Sequence, residues 1–152
     1  MTKSIESKED FEPIWIKPNL SEEMPELQRT AELIPEFTLD EIVHAFNDAK
    51  LEQLSEEEWA TIDGPDNLFQ QPNLTIEQVH EHLSGKRNSA IIEQGIRNNS
   101  TIPAPVVLTG LWDNPYLIGG NSRLLICKAL GIRPLVLNLR LKNKGDNMKE
   151  AA

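Results

Sequence analysis

Apolar positions fall at helical spacing through the middle of the chain, and in short alternating or continuous runs near its start and end. Phe11, Ile14 and Ile16 alternate as in a short strand, with Pro13 near its start and the breaker Lys17-Pro-Asn19 after it. An acidic, proline-punctuated region follows, and its pattern is helical. Thr38-Leu-Asp-Glu41 is a capping box ahead of Ile42, Val43 and Phe46. Ser55-Glu-Glu-Glu58 repeats the device ahead of Trp59 and Ile62, and Asp63-Gly-Pro-Asp-Asn67 reads as a turn. Thr75-Ile-Glu-Gln78 caps a further helix with Ile76, Val79 and Leu83 on one side and Gly85 as its stop.

The last third is patterned more sharply. Ser89 to Ile96 predicts a helix with Ile91, Ile92 and Ile96 inward. Pro103 to Leu108 reads as a strand, and Tyr116-Leu-Ile118 as a second one after the turn Asp113-Asn-Pro115. Gly119-Gly-Asn-Ser122 is a tight loop, Arg123 to Leu130 an almost wholly apolar helix, and Gly131 its stop. In Pro134 to Leu141, Leu135, Leu137, Leu139 and Leu141 share one face of a third strand. The expectation is an α/β fold: a small mixed sheet from segments 11–17, 104–109, 115–119 and 134–141, with 20–88 as a helical acidic insertion that supplies no central strand. Residues 1–142 read as one domain, in which 11–19 is the first strand and 89–142 the core. Residues 143–152 read as a flexible tail.

Length and composition agree with this. The chain has 152 residues, 39% of them apolar, enough for one modest core. A single cysteine, Cys127, excludes an internal disulfide framework and a multi-cysteine zinc site. No apolar run is long enough to span a bilayer, and Met1 to Asp10 shows no signal-peptide pattern, so a cytoplasmic protein is the expectation. The net charge of -9 disfavours generic nucleic-acid or membrane-surface binding, but it is unevenly spread. Residues 1–63 carry 17 acidic and 5 basic side chains, whereas 97–144 carry Asp113 alone against seven basic ones. The two parts either complement each other within the fold, or the basic part holds an anionic ligand.

The segment Tyr116 to Gly131 carries the chemistry. A strand runs into two glycines, which permit positive φ and close backbone approach, and then into a helix whose first amides favour an anion. Asn121 or Ser122 can cap that turn or donate to an oxygen. Arg123 adds a permanent charge with a bidentate fork. Gly119, Gly120, Asn121, Ser122 and Arg123 therefore outline a phosphate or carboxylate site, with Arg123 facing the surface. The alternative is a capped tight turn whose arginine sits in a structural salt bridge. The pattern is neither a Walker A loop nor a dinucleotide fingerprint.

Gly120-Asn-Ser-Arg123, the apolar helix ending in Ala129-Leu-Gly131 and the strand behind it resemble the signature of the ParB/sulfiredoxin superfamily. Ile14 to Asn19 resembles that family's opening strand, and Ile91 to Ile96 followed by Ile102 to Val107 its helix-then-strand block. If the first strand lies away from the sheet, one of these three matches is lost. The acidic segment with Leu54-Ser-Glu-Glu-Glu-Trp59 is similar to small ParB-like proteins of tailed phages. The resemblance implies a nucleoside phosphate held by the turn, with Mg2+, and NTPase or phosphotransferase chemistry. Gly120 and Arg123 match the shared positions. Asn121 stands where sulfiredoxin has its nucleophilic cysteine, Ser122 where ParB has its first arginine, and Gly119 where a serine-kinase branch has aspartate. Sulfiredoxin, CTPase and serine-kinase activities are not expected to carry over, nor is chromosome partitioning.

The remaining candidates have plainer readings. Cys127 lies in an apolar helix and reads as core. His80 and His82 are two apart, on different sides of a helix, and no metal site is expected. Trp15, Trp59 and Trp112 read as core or rim. Glu93 and Asp113, the only acids between residues 85 and 145, are the default candidates for a catalytic role. Three functions stay open: a nucleotide- or phosphate-binding protein, a regulatory protein whose acidic segment meets a basic partner, and, less favoured, a DNA binder or nuclease.

Overall fold

A computed structural model of the chain describes residues 12–64, 67–83 and 89–141. Phe11, Gly85, part of the expected turn at 63–67 and the expected tail lie outside these residues.

The caps form as their sequences dictate. Asn19 accepts the Ser21 amide at 2.9 Å and opens helix α1 (Leu20–Leu33). Thr38 and Glu41 close a reciprocal box at the start of α2 (Leu39–Asp48). Ser55 with Glu58 does the same for α3 (Glu56–Thr61), and Thr75 with Gln78 for α4 (Ile76–His82). Each box satisfies amides that a helix start otherwise leaves open, about 1 kcal/mol apiece. Helices α5 (Ser89–Arg97) and α6 (Asn121–Leu130) follow. Gly131 ends α6 at φ +75°, and the Ile132 amide bonds back to the Cys127 carbonyl at 2.9 Å.

Strands β1 (Ile14–Ile16), β2 (Leu51–Gln53), β3 (Thr101–Pro103), β4 (Val106–Thr109), β5 (Tyr116–Gly119) and β6 (Leu135–Arg140) make two sheets. The larger is mixed, in the order β2-β6-β4-β5, with β6 parallel to β4 and both outer pairs antiparallel. The expected place of the first strand is corrected. β1 pairs in parallel with β3 in a separate two-stranded ribbon, because the extended stretch from 101 breaks at Ala104-Pro105 and only β4 continues into the main sheet. Proline supplies no ladder amide at that break. The insertion also adds a strand the pattern missed. β2 is three residues long, too short for a period to show, and lies at the sheet edge.

The sheet is covered on both faces. Val106, Leu108, Ile118, Leu137 and Leu139 pack with α1 and α2 through Leu27, Ile34, Ile42 and Phe46. Val107, Leu117 and Val136 pack with α4, α5 and α6 through Val79, Ile96 and the α6 leucines. Alternation along β6 thus feeds two cores. Leu124, Leu125, Ile126 and Cys127 are fully buried, and Ala129 is half-buried. Ile91 departs from expectation. It is 66% exposed, because Ser89, Ile92 and Ile96 form the inward stripe of α5 and Ile91 lies off it. Among the described residues no helix is long and apolar enough to cross a membrane.

A half-buried cation ties the insertion to α6. The Lys128 ammonium lies 4.2 Å from the centre of the Trp59 ring and donates to the Trp59 carbonyl at 2.5 Å. Burial pulls its pKa down to about 8. Its value is then lower folded than unfolded, so between pH 8 and about 10.4 the unfolded chain holds the extra proton. Stability should rise across that window relative to Lys128→Met, by about 1 kcal/mol once solvent screening of this half-exposed group is allowed for. Urea unfolding at pH 7 and pH 10 measures it; equal pH dependence in the two proteins would contradict it.

Candidate anion-binding site

β5 delivers its chain to Gly119 and Gly120, and α6 leaves from them. Gly120 has φ +92°, and a Cβ there would come within 2.9 Å of the Pro105 Cα, so both backbone hand and space demand glycine. The helix starts at Asn121, two residues before the sequence expectation, and no side chain caps it. Ser122 and Arg123 thus belong to its first turn. The Ser122 hydroxyl is buried without a hydrogen-bond partner among the described residues, and so is the Arg123 Nε. Gly119 to Arg123 line a cleft of about 410 Å³, closed on its other side by Glu22, Glu23, Glu26 and Arg29 of α1.

Glu23 is the residue that sequence reasoning missed. Helix α1 packs against both α2 and β5, which carries this carboxylate to the turn. It is only 8% exposed, and its Oε2 lies 3.7 Å from an Arg123 terminal nitrogen. Its Oε1 is 2.5 Å from where a Cβ on Gly119 would sit, so the absence of a side chain there makes room for the carboxylate. A signal did exist. Leu20, Glu23, Leu27, Thr30 and Ile34 share the inward stripe of α1, and an acid on such a stripe needs a buried partner.

The pair is incompletely compensated. Burial pushes the Glu23 carboxyl above its ordinary value, and Arg123 only partly opposes this. Burial likewise pulls Arg123 down, with Glu23 opposing. Both charges have lost more from desolvation than their mutual attraction returns, the usual situation of a buried pair at less than ideal distance. Arg123 is therefore not the surface-facing residue expected. Its side chain is 17% exposed, and it makes the salt bridge of the alternative reading.

The other candidates lie elsewhere. Glu93 accepts from Arg97 at 2.6 Å and pairs with His80 at 2.5 Å, while the other His80 nitrogen meets the Ser89 hydroxyl at 2.8 Å. Burial alone would raise the Glu93 carboxyl, but the His80 and Arg97 hydrogen bonds outweigh it and hold it low. This cluster pins α4 to α5, and none of its members lines the cleft at Gly120. Asp113 is exposed on the 111–115 turn, also away from that cleft. Cys127 is buried, and burial raises its thiol, so little thiolate is available. Among the described residues no group of three or more His, Cys, Asp or Glu side chains is placed to hold a metal ion. A scan against protein-family models found no match, nor did searches of the curated proteins and of the solved structures.

Proposed function

We propose that the protein binds a phosphate-bearing ligand, a nucleoside phosphate with Mg2+, at Gly119, Gly120, Asn121, Ser122 and Arg123. The observation that carries this reading is Glu23 itself: Arg123 already pairs with one buried carboxylate of the chain's own, which lies against Gly119 just before α6. A phosphate offers more charge and more acceptor oxygens than a carboxylate, and could take up the Ser122 hydroxyl and Arg123 Nε that Glu23 leaves unmet. Glu23, beside Arg123, is the candidate proton acceptor for NTPase or phosphotransferase chemistry, a role proposed on its placement in the cleft wall. Catalysis by Glu93 or Asp113 gains no support from theirs.

The ParB/sulfiredoxin-like fold belongs to the same proposal. With β1 outside the main sheet, the resemblance loses its opening-strand match and rests on the α5-to-β4 block and the Gly120-to-Arg123 turn. The test is a thermal-shift series with nucleoside mono-, di- and triphosphates, with and without Mg2+. A ligand at a hundred times its Kd should add about 2.7 kcal/mol of stability. No shift at millimolar concentration with any of them would reject the reading.

A further inference from the structure

A second site lies on the opposite edge of β5 from the sheet. Asp63 bridges that edge, its amide donating to the Pro115 carbonyl and its carbonyl accepting from the Leu117 amide, both at 2.8 Å. This fixes the 111–115 turn and sets two aromatic rings in a corner. Trp112 and Tyr116 have centroids 5.5 Å apart and planes 69° apart. Trp112 is 45% exposed, and nearby Leu33 at the end of α1 is 55% exposed. Two clefts meet at Trp112. One, of about 590 Å³, holds Tyr116, Leu33, Asp63 and Asp113; the other, of about 170 Å³, holds Glu57, Glu58 and again Asp113. Neither is lined by a lysine, arginine or histidine.

Clefts lined by aromatic rings and carboxylates, with no cation among the lining residues, attract positive charge both through the ring quadrupole and through Coulomb forces. We propose that the Trp112 corner is a docking site for a basic peptide segment of a protein partner, with one Arg or Lys side chain in each cleft and Trp112 between them. The charge is complementary, and two adjoining clefts fit two side chains of one extended segment better than one small cation. The larger cleft also offers Leu33 and Leu111 to the aliphatic stem of the inserted side chain. Tyr116 agrees with the field of the site: its phenol is raised by burial and then by Asp63. The site shares no lining residue with the Gly120 cleft, so it stands whether or not a phosphate binds there. It also gives the acidic segment a defined point of contact.

The experiment is a titration with tetra-arginine, followed by the indole N–H signals in an NMR spectrum, with Trp112→Phe assigning the relevant one. The Trp112 signal should shift saturably. Affinity should fall with salt, and by roughly fivefold or more in the exposed-site variant Glu57→Gln/Asp113→Asn. In Trp112→Ala, which lacks that signal, isothermal calorimetry should show binding weakened by at least as much, and tetraglutamate should leave the parent's Trp112 signal unmoved. No saturable shift at millimolar peptide would overturn the proposal, and so would equal binding by Trp112→Ala, which would indicate a generic acidic surface. Free arginine binding as tightly as the peptide would assign the corner to a small cation and overturn the protein-partner reading.

Discussion

Leu125→Ala should cost about 2–5 kcal/mol of folding stability, the range for emptying a fully buried leucine site. The residue lies in the middle of α6, with Leu124, Ile126 and Cys127 also completely enclosed. Helix α6 is covered by α4 and α5, so no flexible surface can close over the gap. The cavity should therefore persist and the loss fall toward the upper end. Chemical denaturation of the two proteins measures it. A loss below about 1 kcal/mol would mean that α6 faces solvent and that the core is placed wrongly.

Arg123→Ala should lower stability as well as ligand affinity. It strands the Glu23 carboxylate in a site that is 8% exposed. Removing one partner of a buried pair commonly costs about 3–5 kcal/mol; here roughly 1–3 is expected, because the pair is long and Glu23 can take up a proton instead. The sign with pH follows. Arg123 holds the Glu23 carboxyl below where burial alone would put it, so removing the guanidinium raises that pKa further, and the variant regains more stability than the parent as the pH falls through the higher value. The gap between Arg123→Ala and the parent should thus narrow in mildly acidic buffer. A gap independent of pH would show that Glu23 does not feel the lost guanidinium.

Local devices were legible because each is written within a few residues. The capping boxes at Thr38, Ser55 and Thr75, the α6 run from Leu124 to Leu130 and the alternation of Leu137 and Leu139 all formed as their patterns required. What failed depends on contacts far apart in the chain. Whether Ile14–Ile16 joins the main sheet is decided by the break at Ala104-Pro105, some ninety residues on. β2 exists because β6 offers it an edge, not because Leu51-Glu-Gln53 has a strand's period. The site divided the same way. The glycine turn at Gly119-Gly120 opening a helix was readable from local chemistry. The buried acid that pairs with Arg123, a hundred residues away on α1, was hinted at only by its being out of place on an apolar stripe.

On the function proposed above, the Gly119–Arg123 turn is an anion site that Glu23 occupies and a phosphate ligand competes for. Glu23→Gln tests it most directly, since the amide keeps the shape and removes the competing charge. Isothermal calorimetry with a nucleoside triphosphate and Mg2+, on the parent protein, Glu23→Gln and Glu23→Gln/Arg123→Ala, should give affinity roughly tenfold tighter in the single variant, as expected when a competing charge of the chain's own is removed. In the double variant the affinity should be lost. Absence of binding heat from both the parent and Glu23→Gln at millimolar nucleotide would contradict the claim and leave Glu23 and Arg123 as a structural pair alone.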